Sequence, residues 1–111
     1  KIMLKKIKEF LYRSLTNGEI TYQELERMIN TDEKAILLDV RSPQEYREAH
    51  LEKAVNVPLY DLEKKLNYLP DKECTIITYC ASGNRSRKAK DELESLGYKN
   101  VYNLKNGLDG I

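Results

Sequence analysis

The chain has 111 residues, 33% charged and 41% hydrophobic, with a formal net charge of +1. That length suits one domain and excludes two, because two small cores would need staples that two cysteines cannot supply. Abundant Leu, Ile, Val and Tyr exclude a disordered segment. Near-neutral charge gives no case for nucleic acid, and no apolar run approaches the ~18 residues of a membrane span.

The small net charge conceals a split. Residues 1–16 hold Lys1, Lys5, Lys6, Lys8 and Arg13 against Glu9, a net +4, so the other 95 residues carry −3 against the total of +1. Leu4, Ile7, Leu11 and Leu15 fall at spacings of three and four, with Met3 and Phe10 alongside, which predicts an amphipathic helix. Its apolar stripe is expected to pack on the rest of the chain or on a second copy, so a homodimer through this helix is one expectation. An acidic partner and a membrane surface are the others. The charges break up any secretory h-region. A start at Lys1 in place of Met fits a processed or trimmed chain. Asn17-Gly18 ends the helix, leaving residues 1–18 as an N-terminal helix and 19–111 as the domain proper.

From Glu19 onward, strands and helices alternate. Thr21 and Glu24 form a capping-box signature, followed by a helix that buries Leu25, Met28 and Ile29. Ala35–Leu38 is a continuous apolar run, as in a strand covered on both faces. Ser42-Pro43-Gln44-Glu45 is a second capping box with Pro at the first helical position. Ala54–Val57 reads as a short strand stopped by Pro58. Leu59, Leu62, Leu66 and Leu69 then recur at helical spacing. Thr75–Tyr79 is the most strand-like segment, β-branched or aromatic throughout. A helix over about 86–96 buries Ala89, Leu93 and Leu96 and stops at Gly97; Val101–Leu104 is a last strand, and Asn106-Gly107 turns into the tail. Helices between strands imply a mostly parallel sheet. Ligand sites in such sheets lie beyond the carboxyl ends of the strands, which points to the loops after Asp39 and Tyr79.

The second of these loops, Cys80-Ala81-Ser82-Gly83-Asn84-Arg85-Ser86, carries the chemistry. A cysteine between a strand and a helix N-terminus sits in the positive end of the helix dipole, where free N–H groups converge. Both effects favour the thiolate. Small residues at 81–83 let the backbone curl round the sulfur, and Gly83 can take a positive φ. An inert buried thiol is the plainer alternative. Arg85, Arg87, Lys88 and Lys90 crowd the start of the helix while Asp91, Glu92 and Glu94 come later, the wrong way round for the dipole. Holding an anion beside Cys80 would explain that cost, with Arg85 the foremost candidate.

Cys74 lies six residues before Cys80 on one strand, near 20 Å away at about 3.3 Å per residue, beyond disulfide reach. It reads as a spectator, and no oxidising compartment is called for. Two cysteines and one distant histidine also make a poor metal site. His50, the only histidine, reads as a stabiliser of the preceding helix end. Asp39 ends its strand at the same sheet edge as Cys80, and Arg41 and Glu45, four residues apart, are expected to fix that loop.

These residues resemble the single-domain rhodaneses, a sulfurtransferase family. Leu38–Tyr46 with His50-Leu51 and Ala54–Pro58 is similar to the family's first signature, Cys80–Ser86 to its active-site loop, and Asn106-Gly107 to its closing Gly-rich turn. The resemblance covers residues 19–111 and excludes the basic helix. It implies a three-layer α/β fold with a central five-strand parallel sheet, including a short first strand near Ile20. It also implies that the Cys80 thiolate takes the outer sulfur of a small sulfur-containing anion such as thiosulfate, or of a polysulfide, as a persulfide. That sulfur then passes to cyanide or a thiol, including a protein thiol. Ala81, Ser82, Gly83, Asn84, Arg85 and Ser86 are expected to bind substrate, with Asp39 and Arg41 behind them. The covalent persulfide stands in for a cofactor, no metal is needed, and a cytoplasmic location is expected.

Three positions depart from the family pattern: Lys53 where Gly is common, Asn106 for the first Gly of the closing pair, and Ile111 for a terminal aromatic. Ala81 follows the cysteine where some thiosulfate-preferring members have Arg, which leaves the donor open. A cysteine phosphatase keeps five residues between Cys and Arg, whereas four separate Cys80 from Arg85; a non-catalytic rhodanese-like module usually lacks the cysteine.

Overall fold

The computed structural model describes residues 2–69 and 71–111, with the side chains of residues 2, 3 and 66–68 outside the description. Five strands form one sheet: β1 Glu19–Ile20, β2 Ile36–Asp39, β3 Val55–Asn56, β4 Thr75–Tyr79 and β5 Asn100–Leu104. They lie in the order β1-β5-β4-β2-β3, and every pairing is parallel. The central pair is in register Ile36↔Ile76 to Asp39↔Tyr79, so the carboxyl ends of β2 and β4 finish level. Four α-helices accompany them: α1 Ile2–Thr16, α2 Tyr22–Thr31, α3 Pro43–Glu48 and α4 Asn84–Ser95.

Alternation along the strands divides the core in two, as a sheet covered on both faces requires. Leu38, Ile76, Cys80 and Val101 join Ala89 and Leu93 of α4 on one face. Leu37, Ile77, Tyr79 and Tyr102 join Leu25 of α2 on the other, with Tyr46 of α3 packed against them. This is the expected three-layer α/β arrangement, with α1 added at its flank.

Four local expectations need correction. The run 59–69 is not one α-helix but two 3-10 segments, Leu59–Asp61 and Glu63–Tyr68. Two of its three leucine gaps are three residues, the 3-10 period; the Leu66 side chain lies outside the described residues. The first capping box is half formed: Thr21 Oγ accepts the Glu24 N–H at 3.2 Å, but the Glu24 carboxylate turns to Arg27. The second box is complete, with Ser42 and Glu45 each accepting the other's backbone N–H at 3.1 Å. Helix α4 starts at Asn84, so Asn84, Arg85 and Ser86 form its first turn and not the loop.

The fourth correction concerns α1. It forms as expected, but its apolar stripe does not pack on the domain. Leu4, Ile7, Phe10, Leu11 and Leu15 are all exposed. The helix is held by its other side: the Tyr12 ring lies 6.5 Å from that of Tyr102, and Arg13 donates to the Lys99 carbonyl.

Of the three departures, two carry left-handed backbone. Lys53 (φ 72) and Asn106 (φ 64) adopt the conformation that glycine would take there. Asn tolerates it well, whereas for Lys it costs roughly 1 kcal/mol or more. Ile111 is exposed and fills no terminal aromatic slot.

Candidate active site

Strands β2 and β4 are neighbours, yet α3 and α4, which follow them, cover opposite faces of the sheet. The chain therefore parts above this pair, which makes their carboxyl ends the usual ligand position in such sheets. Cys80 stands at the head of β4 at that edge and is fully buried.

Three donors converge on its sulfur. The Gly83 N–H reaches Sγ at 3.1 Å, the Ser86 N–H at 3.3 Å and the Ser86 hydroxyl at 3.3 Å. Burial pushes the thiol up, but the Ser86 hydroxyl and the backbone N–H groups of Ser86, Gly83 and Ser82 outweigh it, and the thiol lies below its ordinary value. The Ser86 hydroxyl has one proton and two acceptors, Sγ and the Gly83 carbonyl at 3.2 Å. A charged sulfur is the stronger acceptor, so ionisation of Cys80 draws that proton toward it.

The cradle depends on unusual backbone. Gly83 has φ 102 at the N-cap of α4, and a Cβ there would meet the Asn106 backbone nitrogen at 3.2 Å. The closing turn presses from above: Leu108 N–H donates to the Cys80 carbonyl at 3.0 Å and Asp109 N–H to the Ala81 carbonyl at 2.8 Å. A Cβ on Gly107 would lie 2.4 Å from the Ala81 carbonyl oxygen, so only glycine lets the two loops approach this closely. Beneath the loop, buried Asn103 Nδ2 bonds the Glu19 carboxylate at 3.1 Å and reaches the Gly83 carbonyl at 3.4 Å. Buried Thr78 Oγ1 donates toward the Ser86 carbonyl at 3.0 Å.

Asp39 and Arg41 form a buried pair one strand away. Arg41 Nη2 lies 2.7 Å from Asp39 Oδ2, and the Arg41 backbone N–H donates to Oδ1 at 2.9 Å. The same guanidinium donates to the Ala49 carbonyl at 2.6 Å, which ties the end of α3 to the end of β2. Arg41 and Glu45 do not pair with each other. Glu45 instead grips Arg85 in a two-pronged ion pair, Nη1–Oε1 2.7 Å and Nη2–Oε2 2.9 Å. Hydrogen bonding from Arg85, helped by Ser42 against the opposing effect of burial, pulls the Glu45 carboxyl down to about 2. Glu45 is the residue that the sequence alone did not assign to the site. Its sequence position points to a cap and, with Arg41, to a brace for its own loop, and nothing in the spacing couples it to a residue 40 positions on.

This pairing revises the expected cluster of anion-holding cations. Arg85 pairs with Glu45, Arg87 with Glu19 at 3.3 Å and Lys90 with Glu94 at 3.0 Å. Acids from β1, α3 and α4 itself offset the charge at the start of α4. Of the candidate binding residues, Ala81 and Arg85 are half-buried at the rim, Ser82 and Asn84 are exposed, and Gly83 and Ser86 line the sulfur. Cys74 precedes β4, free and half-buried; burial, with Asp71 adding to it, pushes its thiol up. His50 caps α3 through Nδ1 on the Tyr46 carbonyl at 2.7 Å and stacks on the Tyr46 ring at 3.7 Å.

The fold and loop together define an α/β domain with one buried thiol ringed by hydrogen-bond donors at a sheet edge. The sequence profile of the rhodanese-like domain matches residues 21–111, and the chain belongs to that family. A thiosulfate sulfurtransferase of Escherichia coli, PspE, is 37% identical over 67 residues, 60% of this chain and 64% of that protein. A putative sulfur carrier protein of Bacillus subtilis, YrkF, is 34% identical over 90 residues, 81% of this chain and 48% of that protein. The chain thus spans about half to just under two-thirds of the length of these relatives. Among solved structures, the human single-domain sulfurtransferase TSTD1 superposes with a TM-score of 0.74 at 26% identity, covering 81% of this chain and 90% of that one.

Proposed function

We propose that the domain is a sulfurtransferase that carries sulfane sulfur as a persulfide on Cys80. The observation that carries this reading is the set of donors, from Gly83 and Ser86, closed round a single Sγ. With thiosulfate, the Cys80 thiolate attacks the outer sulfur, a Cys–S–S bond forms, and sulfite leaves with the electrons of the broken S–S bond. Cyanide or a thiolate then attacks the terminal sulfur and takes it, which returns the Cys80 thiolate. The loop N–H groups offset negative charge at the sulfur through both halves, and a preformed thiolate needs no separate base.

Access is the remaining requirement, since Cys80 has no exposed surface. Arg85, 41% exposed, is the cation at the rim, and Glu45 holds it. An anionic donor that binds Arg85 must compete with that carboxylate. A polysulfide, whose charge sits on large sulfur atoms that accept hydrogen bonds weakly and not on sulfonate oxygens, depends less on the guanidinium. The reading therefore favours polysulfide-type donors over thiosulfate, with Glu45 as the selecting residue.

The test is turnover with cyanide. Purified protein given thiosulfate or polysulfide should form thiocyanate above the rate of donor and cyanide alone, with polysulfide the faster donor. Absence of thiocyanate with both donors, together with hydrolysis of an aryl phosphate, would replace this reading with a phosphatase. Absence of both activities would leave a rhodanese-like binding module.

A further inference from the structure

Helix α1 has no part in the site, yet its surface is organised. Its inner side is fixed by Tyr12 against Tyr102 and by Arg13 on Lys99, as described above. At 100° per residue, Leu4, Ile7, Phe10, Leu11 and Leu15 sweep an arc of about 140° on the opposite side. These side chains are 49–84% exposed. They account for five of the eight exposed large hydrophobic residues among the described residues, so the exposure is concentrated in one strip. A contiguous apolar strip of this kind marks a surface that something covers.

The charges select what covers it. Lys8 lies at one border of the arc with Lys5 behind it, and Lys6 lies at the other; all three are exposed. The one acid of the helix, Glu9, falls on the side away from the strip. A second copy laid strip to strip would bring the lysine borders together with no acid on that face to offset them. An apolar face edged by lysines instead fits a sheet of anionic headgroups, where the strip enters the acyl boundary and the lysine stems reach back to phosphate.

We infer that α1 docks the domain on an anionic phospholipid surface, lying in the plane of the interface. The expected result is co-sedimentation with vesicles of phosphatidylcholine and phosphatidylglycerol in equal parts, and none with phosphatidylcholine alone. Binding should fall away at about 1 M salt, where screening acts within ~3 Å. Lys6→Gln and Lys8→Gln should each weaken it roughly fivefold. The Phe10→Asp/Leu11→Asp pair should abolish it while melting temperature and sulfur loading stay unchanged, since both positions are exposed. Equal binding to both vesicle types, or retention by the Phe10→Asp/Leu11→Asp variant, would overturn the inference. So would a stable dimer in sedimentation equilibrium that the same variant dissolves, which would assign the strip to a second copy.

Discussion

The two cysteines flank one strand, and their surroundings push the two thiols in opposite directions. Cys74, just before β4, has burial and a nearby Asp71 acting on it, and both favour the neutral thiol. Cys80, just after β4, is buried more deeply but faces the first turn of α4, whose N–H groups and Ser86 hydroxyl favour the thiolate. Depth of burial therefore does not decide the direction of the shift here. What decides it is whether unsatisfied donors of a helix start are aimed at the sulfur.

The widest separation between the two thiols is expected in sulfur loading. Cys80→Ser should remove all uptake of sulfur at the loop from polysulfide and bring thiocyanate formation down to the protein-free rate, while Cys74→Ser stays within about twofold of wild type, as a spectator thiol should. Comparable losses in both variants, measured as thiocyanate released, would erase the contrast.

A subtler change should narrow the gap without removing the nucleophile. Ser86→Ala deletes one donor to Sγ and should raise the Cys80 thiol by roughly one pH unit, the scale of one hydrogen bond to a charged group. The pH profile of iodoacetamide alkylation at Cys80 reads this directly. Since thiolate is the reacting form, wild-type Cys80 should alkylate fully at a pH where Cys74 is still protonated, and the variant's curve should move toward that of Cys74.

Glu45→Gln acts on the rim. With Arg85 released, thiosulfate should load sulfur several times faster while polysulfide changes little, so the ratio of the two rates is the readout. The same carboxyl links the site to acid stability. Its native value of about 2 lies below the ordinary 4.5, so its stabilising contribution is complete above about pH 4.5 and is lost as pH falls toward 2. Because the pair is more than one-third exposed, that contribution stays within about 1 kcal/mol. Acid unfolding of wild type and Glu45→Gln should therefore converge below about pH 2.

The smallest effect should come far from the sulfur. Lys53 holds left-handed backbone at φ 72, and Lys53→Gly should gain about 1 kcal/mol in urea unfolding with sulfur loading unchanged.

Much of this is legible in the sequence. Strand β4 and its loop stand out because β-branched residues meet a cysteine and a glycine at a helix start, signals that are local. The Ser42–Glu45 capping box was equally local and formed in full. What the sequence hid was tertiary. Glu45 reaching Arg85 across 40 residues, Glu19 meeting Arg87 across 68, and Gly107 pressed on the Ala81 carbonyl all depend on which loops the sheet order brings together. The helix α1 shows the reverse lesson. Its periodicity was plain, but a periodic stripe does not say whether the domain covers it, and here the domain takes the side that holds Tyr12 and Arg13.

The central claim is that Cys80, and not Cys74, is the sulfur carrier. Treating the wild-type protein with polysulfide, blocking persulfides with an alkylating agent and mapping the peptides by mass spectrometry tests it most directly. One added sulfur is expected on the peptide holding Cys80 and an unmodified sulfur count on the one holding Cys74. Added sulfur on the Cys74 peptide, or on neither, would contradict it.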